Sequence, residues 1–457
     1  MKYLAALSLL GAVIAPALGS MIPRQSSSKG KLTPIEVRGN AYFKTGTQER
    51  FYIRGVAYQP GGAADAQDPL LDIPSLKRDI ENFKSLGINT IRIYTVDNSK
   101  NHDEGMGLLD DAGIYLTLDA NTPDYSLNRE TVQTCHTSYN EVYLQNVFAT
   151  IDAFKDYNNM LMFFSGNEVI NARNNTGTAP YIKAVTRDMK SYISRRNYRK
   201  IPVGYSAADV AENIVQQALY FNCGTDDERS DFFAFNDYSW CDPSNFEKSG
   251  WNQKVKTYNN YSIPLFLSEF GCITNTRVWG EIASLYHTNM TGVYSGGLAY
   301  EYTVEPNGFG LVEVKNGKIT PNDDFGRLKD AYAKTKNPTG NGGAKTNGAP
   351  SRCPPQDVEW EVSSTLLPTI PEKAVAFMSN GAGKPVGLEG GGSHFAGTPS
   401  KSSATPGSGS GGGNNNNNNS QGQEGGNGGS AATSVDIPIR FMAMIAASVL
   451  FGVVLVF

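Results

Sequence analysis

Histidine is nearly missing from this chain: His102, His136, His287 and His394 are the only four in 457 residues, and they stand far apart. That scarcity argues against a histidine-built metal centre, and no metal is expected. Cysteine is sparse as well. The five, Cys135, Cys223, Cys241, Cys272 and Cys353, contain no CxxC pair of the kind that holds zinc. No glycine-rich dinucleotide fingerprint follows the first apolar run, and no cofactor is expected. Excess charge is missing too. The 40 Lys and Arg against 44 Asp and Glu leave −4, which gives no reason to expect nucleic acid as a partner. What the chain does have is 23 Tyr and 21 Phe with only 18% charged residues, which suits a large packed core and an aromatic-lined cleft.

The two ends carry sorting patterns. Met1-Lys2, an apolar run from Leu4 to Leu18 and the small residues Gly19 and Ser20 read as a secretory signal peptide over residues 1–19. The run is too short for a membrane anchor. At the other end, Phe441 to Phe457 is an apolar tail behind a polar spacer and the small residues Asn427, Gly428, Gly429 and Ser430. That order predicts a GPI-attachment signal over 428–457, removed on maturation, with the anchor on one of those four residues. A tail-anchored helix is the alternative, and the signal peptide argues against it. The expected location is the outer face of the plasma membrane, and the cell wall. N-x-S/T triplets at Asn174, Asn260, Asn289 and Asn418 agree with secretion. An oxidising compartment would let the five cysteines form two disulfides with one thiol left over.

Residues 31–345 read as one catalytic-sized α/β domain, and 346–392 as an extension with enough apolar residues, such as Trp360 and Phe377, to pack on it. Residues 393–434 are Gly/Ser/Asn-rich, with six consecutive asparagines from Asn414, and read as a disordered stalk. Within the domain, apolar runs at Phe51–Ala57, Thr90–Thr95, Tyr115–Asp119, Leu161–Ser165, Ile201–Tyr205, Phe232–Asn236, Pro264–Leu267 and Gly297–Tyr302 alternate with amphipathic stretches. Eight near-continuous apolar strands separated by helices predict a parallel sheet buried on both faces, closed as a (β/α)8 TIM-type barrel. An open doubly wound sheet is the alternative.

Barrel enzymes place their chemistry at the carboxyl ends of the strands. There the chain offers Tyr94 and Asp97, Asp119, Asn167-Glu168, Asn236-Asp237-Tyr238, Glu269, and Tyr300-Glu301-Tyr302. A lone Glu after a strand is usually a solvated loop residue. Two of them on different strands meet the requirement of glycoside hydrolysis, in which one carboxyl protonates the leaving oxygen and the other attacks or activates water. Asn167 beside Glu168 adds a donor for a sugar hydroxyl near the reacting carbon. Asn167-Glu168 on the fourth strand with Glu269 on the seventh is the arrangement of the retaining barrel glycosidases. Tyr94 and Tyr300 are read as cleft lining, and Tyr302 as either cleft or core.

The runs NTIRIYTVD, LDANTPDYSLNRE, FFSGNEVIN, YRKIPVGYSAAD, FNDYSWC, FLSEFGC and SGGLAYEY…GFGLV, in this order, resemble the fungal GPI-anchored β-1,3-glucanosyltransferases of glycoside hydrolase family 72. The resemblance spans about Lys31 to Trp360. It implies an enzyme that cuts β-1,3-glucan and joins the new reducing end to the non-reducing end of another glucan chain. It also implies Glu168 as acid/base and Glu269 as nucleophile. Implied glucan contacts are Tyr94, Asp119, Asn121, Ser126, Asn128 and Arg129, with Asn167, Asp209, Tyr238 and Tyr300. The implied disulfides are Cys241 with Cys272 and Cys223 with Cys353. Leu76 and Gly105 stand where a third pair usually lies, which leaves Cys135 unpaired. Ile214 stands where the family has an Arg, so one acceptor-side donor is expected to be lost. With no cysteine after Cys353, the Cys-rich carbohydrate-binding module of some members is missing. The charge of Glu269 nearby would favour the proton on Glu168. A plain β-glucan or β-mannan hydrolase, or a non-catalytic wall-binding protein, are the rival readings.

Overall fold

The computed structural model describes residues 29–362 and 366–404. The signal peptide, the GPI signal and most of the stalk read from the sequence lie outside them. Three short strands, β1 (Ile35–Arg38), β2 (Ala41–Lys44) and β3 (Arg50–Phe51), form a small antiparallel sheet. Eight further strands then run parallel: β4 (Ile53–Ala57), β5 (Thr90–Ile93), β6 (Tyr115–Asp119), β7 (Met160–Asn167), β8 (Val203–Ala208), β9 (Phe232–Asp237), β10 (Leu265–Phe270) and β11 (Tyr294–Ala299). They close in sequence order, with β11 pairing back to β4. This is the (β/α)8 barrel. A hairpin, β12 (Val312–Lys315) and β13 (Lys318–Pro321), follows it.

The helices between the strands are α1 (Ile73–Leu86), α2 (Asp103–Asp111), α3 (Val132–Ser138), α4 (Glu141–Phe154), α5 (Ala179–Arg195), α6 (Ile214–Phe221), α7 (Trp251–Thr257), α8 (Gly280–Leu285) and α9 (Thr288–Thr291). α10 (Asp323–Lys334) and α11 (Phe377–Asn380) follow. Local chemistry sets their ends. Asp72 caps α1 through the Ser75 amide at 3.2 Å, and Gly87 closes the helix in a left-handed conformation. Asn140 caps α4 through the Tyr143 amide at 3.0 Å.

Leu161, Met162, Phe164, Phe232, Ala234, Phe266 and Leu298 fill the barrel interior. Tyr42 and Phe51 of the small sheet join them, with Tyr42 at 6.1 Å from Phe266 and Phe51 at 5.0 Å from Tyr115, ring to ring. Tyr115 opens β6 and Phe232 opens β9, so this plug seals the amino-terminal mouth and leaves the other rim for a site. The sequence runs did not separate β3 from β4 or reveal the plug. The eighth run, Gly297–Tyr302, also sits three residues later than β11, which takes in Gly296 ahead of Gly297. In the barrel they are strand residues at a close approach: a Cβ on Gly296 would lie 2.0 Å from the Ile53 carbonyl oxygen.

Cys223 pairs with Cys353 and Cys241 with Cys272. Cys135 is buried and free, its thiol pushed well up by burial alone. Leu76 is core, and a Cβ on Gly105 would meet the Leu70 carbonyl oxygen at 2.4 Å, so this backbone has no room for a cysteine there. The Cys223–Cys353 bridge spans 130 residues and ties the chain after α10 to the barrel. A Cys223→Ala/Cys353→Ala double variant is expected to lose about 2–4 kcal/mol of stability, because a long loop regains entropy in the unfolded chain. Urea denaturation checks it; an unchanged midpoint would contradict it.

Composition placed the start of the stalk at Ser393, and the structure corrects this for residues 393–404. Ser393 is fully buried, the Asn140 amide donates to the Ser393 and Ala396 carbonyls at 2.8 and 2.9 Å, and the Ala404 amide donates to Tyr181 Oη at 3.1 Å. The composition argument counted only apolar area. Here small residues let the backbone come close, and hydrogen bonds hold the segment instead.

Candidate active site

Strand geometry brings the two glutamates inward, and for Glu269 alternation alone would mislead. On β10, Phe266 faces the barrel interior while Leu265, Leu267 and Phe270 pack outward. Strict alternation would send Glu269 outward with them. The register with β9 shifts between Leu267 and Glu269, and this irregularity turns Ser268 and Glu269 both inward. β7 has a similar shift between Phe164 and Gly166, just before Glu168. Glu168 itself holds a left-handed φ of 48°. For a residue with a Cβ that conformation costs roughly 1–3 kcal/mol and persists only where surroundings enforce it. Here its amide donates to the Ser206 carbonyl at 2.9 Å and its carbonyl accepts Arg129 Nη1 at 2.7 Å.

Both carboxyls are held by neighbours at the end of one strand, β9. Asn236 Nδ2 donates to Glu168 Oε1 at 2.8 Å, and Tyr238 Oη donates to Glu269 Oε2 at 2.8 Å. Asn236 also reaches Asn167 Oδ1 at 3.2 Å, and Ser206 and Ser268 complete a polar layer across β7 to β10. Glu269 Oε1 accepts Tyr94 Oη at 2.8 Å and Arg92 Nη1 at 3.3 Å. Burial is the main force pushing Glu269 up to about 7. The charge of Glu168 adds to it, while Arg92 and the two phenols pull the other way. The push toward the protonated form is therefore found on Glu269, the carboxyl deeper in the barrel.

The ten sequence-predicted contact residues divide. Tyr94, Asn167 and Tyr238 surround the glutamates directly. Tyr300 packs edge-on to Tyr238 and to Phe309, forming an aromatic wall. Asp119 is spent elsewhere: both its oxygens accept from Arg92, at 2.9 and 3.2 Å, and it is 5% exposed. Asp209 binds Lys254. Asn121 accepts from Tyr143, and its buried Nδ2 has no partner. Asn128 caps the turn at Glu130. Ser126 is engaged by the extension, through Ser393 and through His394 Nε2 at 3.2 Å. The extension thus braces the Asn121–Arg129 loop, which in turn reaches Glu168 through Arg129. Tyr302 is fully buried against Tyr58 and Phe83, with its Oη on Asp79 and Asn82, and belongs to the core. Asp97 accepts from Ser99 in a turn outside the cleft. Ile214 is buried at the start of α6 and offers no donor.

Arg92, Ser206, Ser268, Lys254 and Phe309 were not found by sequence reasoning, and Asn236 was noted only for its place at a strand end. Arg92 did leave a signal, a lone cation inside the apolar run of β5 and two residues before Tyr94. Among the described residues no cluster of His, Cys, Asp and Glu could hold a metal ion.

The pH response of Glu269 follows from its donors. Tyr238→Phe removes a hydrogen bond to the ionised form, so the proton binds more tightly. The acid limb of kcat/KM, which reports the free enzyme, is expected to move to higher pH by about one unit. A pH–rate profile with an unmoved acid limb would count against this.

Residues 24–336 match the family described as Glucanosyltransferase. The chain is 58% identical over 364 residues to the 1,3-beta-glucanosyltransferase gel1 of Aspergillus fumigatus, covering 79% of each. It is 52% identical over 375 residues to the 1,3-beta-glucanosyltransferase GAS5 of Saccharomyces cerevisiae, covering 81% of this chain and 77% of the relative. Among solved structures, a Saccharomyces cerevisiae Gas2p mutant in complex with laminaritetraose and laminaripentaose is 37% identical. It aligns with a TM-score of 0.68 over 75% of this chain and 76% of that one.

Proposed function

The chain belongs to the glucanosyltransferase family, glycoside hydrolase family 72, and from that premise we propose that it is a retaining β-1,3-glucanosyltransferase that elongates cell-wall glucan. Glu269 and Glu168 are the reacting pair. The observation that carries the reading is their convergence at one barrel rim, each held by a donor from the end of β9.

In the first step Glu269, ionised, attacks the anomeric carbon of a bound β-1,3-glucan. An ester bond forms as the glycosidic C–O bond breaks, and the departing oxygen takes the proton of Glu168. The reducing-side fragment leaves. In the second step Glu168 removes a proton from the hydroxyl at the non-reducing end of an acceptor glucan. That oxygen attacks the anomeric carbon, and Glu269 is released as carboxylate. Donor chemistry supports these roles: Arg92 can only donate, and it and two phenols converge on Glu269, a setting suited to a carboxylate once substrate is bound. Tyr94, Tyr238, Tyr300 and Phe309 offer ring faces to pyranoses. Asn121, Ser126, Asn128, Arg129, Asn167 and Asp209 are retained as glucan contacts along the cleft. Asp119 acts through Arg92.

Incubation with one defined laminari-oligosaccharide tests the reading. Products longer than the substrate are expected, and exclusively shorter ones would leave a plain hydrolase. The signal-peptide and GPI patterns support delivery to the outer face of the plasma membrane and the wall. Release from membranes by a phosphatidylinositol-specific phospholipase would check that anchorage.

A further inference from the structure

A cation stands behind the strand end that holds both glutamates. Lys254 Nζ on α7 donates to Asp209 Oδ2 at 2.5 Å and to Asp237 Oδ2 at 2.8 Å. Asp209 follows the last residue of β8, and Asp237 is the last residue of β9. The Asp237 side chain is 1% exposed. Its other oxygen accepts the Ser239 amide at 2.9 Å and Ser239 Oγ at 2.6 Å, and Ser239 Oγ accepts Trp251 Nε1 at 3.2 Å. All of the bonds to Asp237 thus come from behind the rim.

Successive strand residues point to opposite faces. Asn236 and Tyr238 face the cleft and donate to Glu168 and Glu269, while Asp237 between them faces α7. One strand end therefore aims both donors, and its backward-pointing residue is fastened to Lys254. Among the described residues no other cation is paired with Asp209 or Asp237. Asp242 adds negative charge to the same region; Glu281 there is pushed up to about 8, by burial first, and so mostly keeps its proton near neutral pH, and Tyr258 and Tyr294 pack around the region as phenols. Without the ammonium, the two acids would repel each other in a setting of low dielectric.

We propose that Lys254 is a positioning residue for the glucanosyl transfer: by tying Asp237 to Asp209 it clamps the ends of β8 and β9 together and fixes the directions in which Asn236 and Tyr238 donate to the two glutamates. The proposal rests on Glu168 and Glu269 being the reacting pair. A small displacement of either donor would act on the reaction step, since misplacement of about 1 Å can lower a rate about 100-fold.

Steady-state transfer on a defined laminari-oligosaccharide tests it, with melting temperatures measured alongside. Lys254→Met is expected to lower kcat by about 10- to 100-fold, more than it alters KM. Lys254→Arg is expected to recover most of that loss. Asp237→Asn is expected to lower kcat similarly, and the double variant Lys254→Met/Asp237→Asn to be no worse than the poorer single one, because both break the same link. A folded Lys254→Met protein with wild-type kcat, or losses that multiply in the double variant, would overturn the proposal. If Lys254→Met does not fold, Asp237→Asn carries the test, and an unchanged kcat there overturns it equally. Full transfer by Glu269→Gln would instead sink the assignment of the reacting pair, so the two failures are distinguishable.

Discussion

Glu269→Gln is expected to reduce glucan transfer by at least about 10⁴-fold, because the amide cannot form the glycosyl ester. Its shape is conserved and its three donors remain nearby, so the fold should persist. Glu168→Gln is expected to lose about 10²–10⁴-fold on laminari-oligosaccharides, the range of a missing general acid. The two variants differ in a way that separates their roles. A laminari-oligosaccharide carrying a nitrophenyl leaving group needs no proton on departure. The first step of Glu168→Gln should therefore recover with that donor, seen as a burst of nitrophenol, while Glu269→Gln should stay inactive. Recovery in the opposite variant would reverse the assignment, and activity in both would remove these residues from the chemistry.

The second large effect is expected at Arg92. The side chain is fully buried, forks onto both oxygens of Asp119, reaches Glu269 Oε1 and lies 4.3 Å from the ring centres of Tyr94 and Phe164. Arg92→Met would strand Asp119 as an unpaired buried acid, and breaking such a pair destabilises by about 3–5 kcal/mol. It would also remove a force that keeps Glu269 ionised, so the acid limb of kcat/KM should move to higher pH. Thermal unfolding and the pH profile read the two consequences separately. Replacing the whole pair, Arg92→Met/Asp119→Leu, should restore much of the stability, since an apolar pair of similar bulk leaves no naked charge. It should restore none of the activity, because Glu269 still lacks its cation. A double variant as unstable as the single one would show that the loss at Arg92 is one of packing.

Much of this architecture could be read from the chain. Eight apolar runs gave the barrel because strands buried on both faces need continuous apolar residues, and that signature is local. The two glutamates could be read because each stands within three residues of the end of its run. Asp119 shows where that reading stops: a carboxylate at a strand end looks the same in sequence whether it faces a sugar or, as here, an arginine on the next strand. Tyr302 shows it again, since an aromatic just past a strand can turn to cleft or core. Ser393 was misplaced because composition measures apolar area and is blind to hydrogen bonding across the fold.

The sequence by itself thus determined the barrel and the family and singled out two carboxyls, all of which rest on the order of residues along single segments. Only the tertiary structure decided what holds those carboxyls. The irregularity of β10 turns Glu269 inward, Asn236 and Tyr238 meet both carboxyls from the end of a third strand, and Arg92 and Lys254 supply charge from β5 and α7. These partners lie from 17 to 177 positions away from the groups they hold, from Lys254 with Asp237 to Arg92 with Glu269. No periodicity or local motif encodes such pairs; closure of the barrel brings them together.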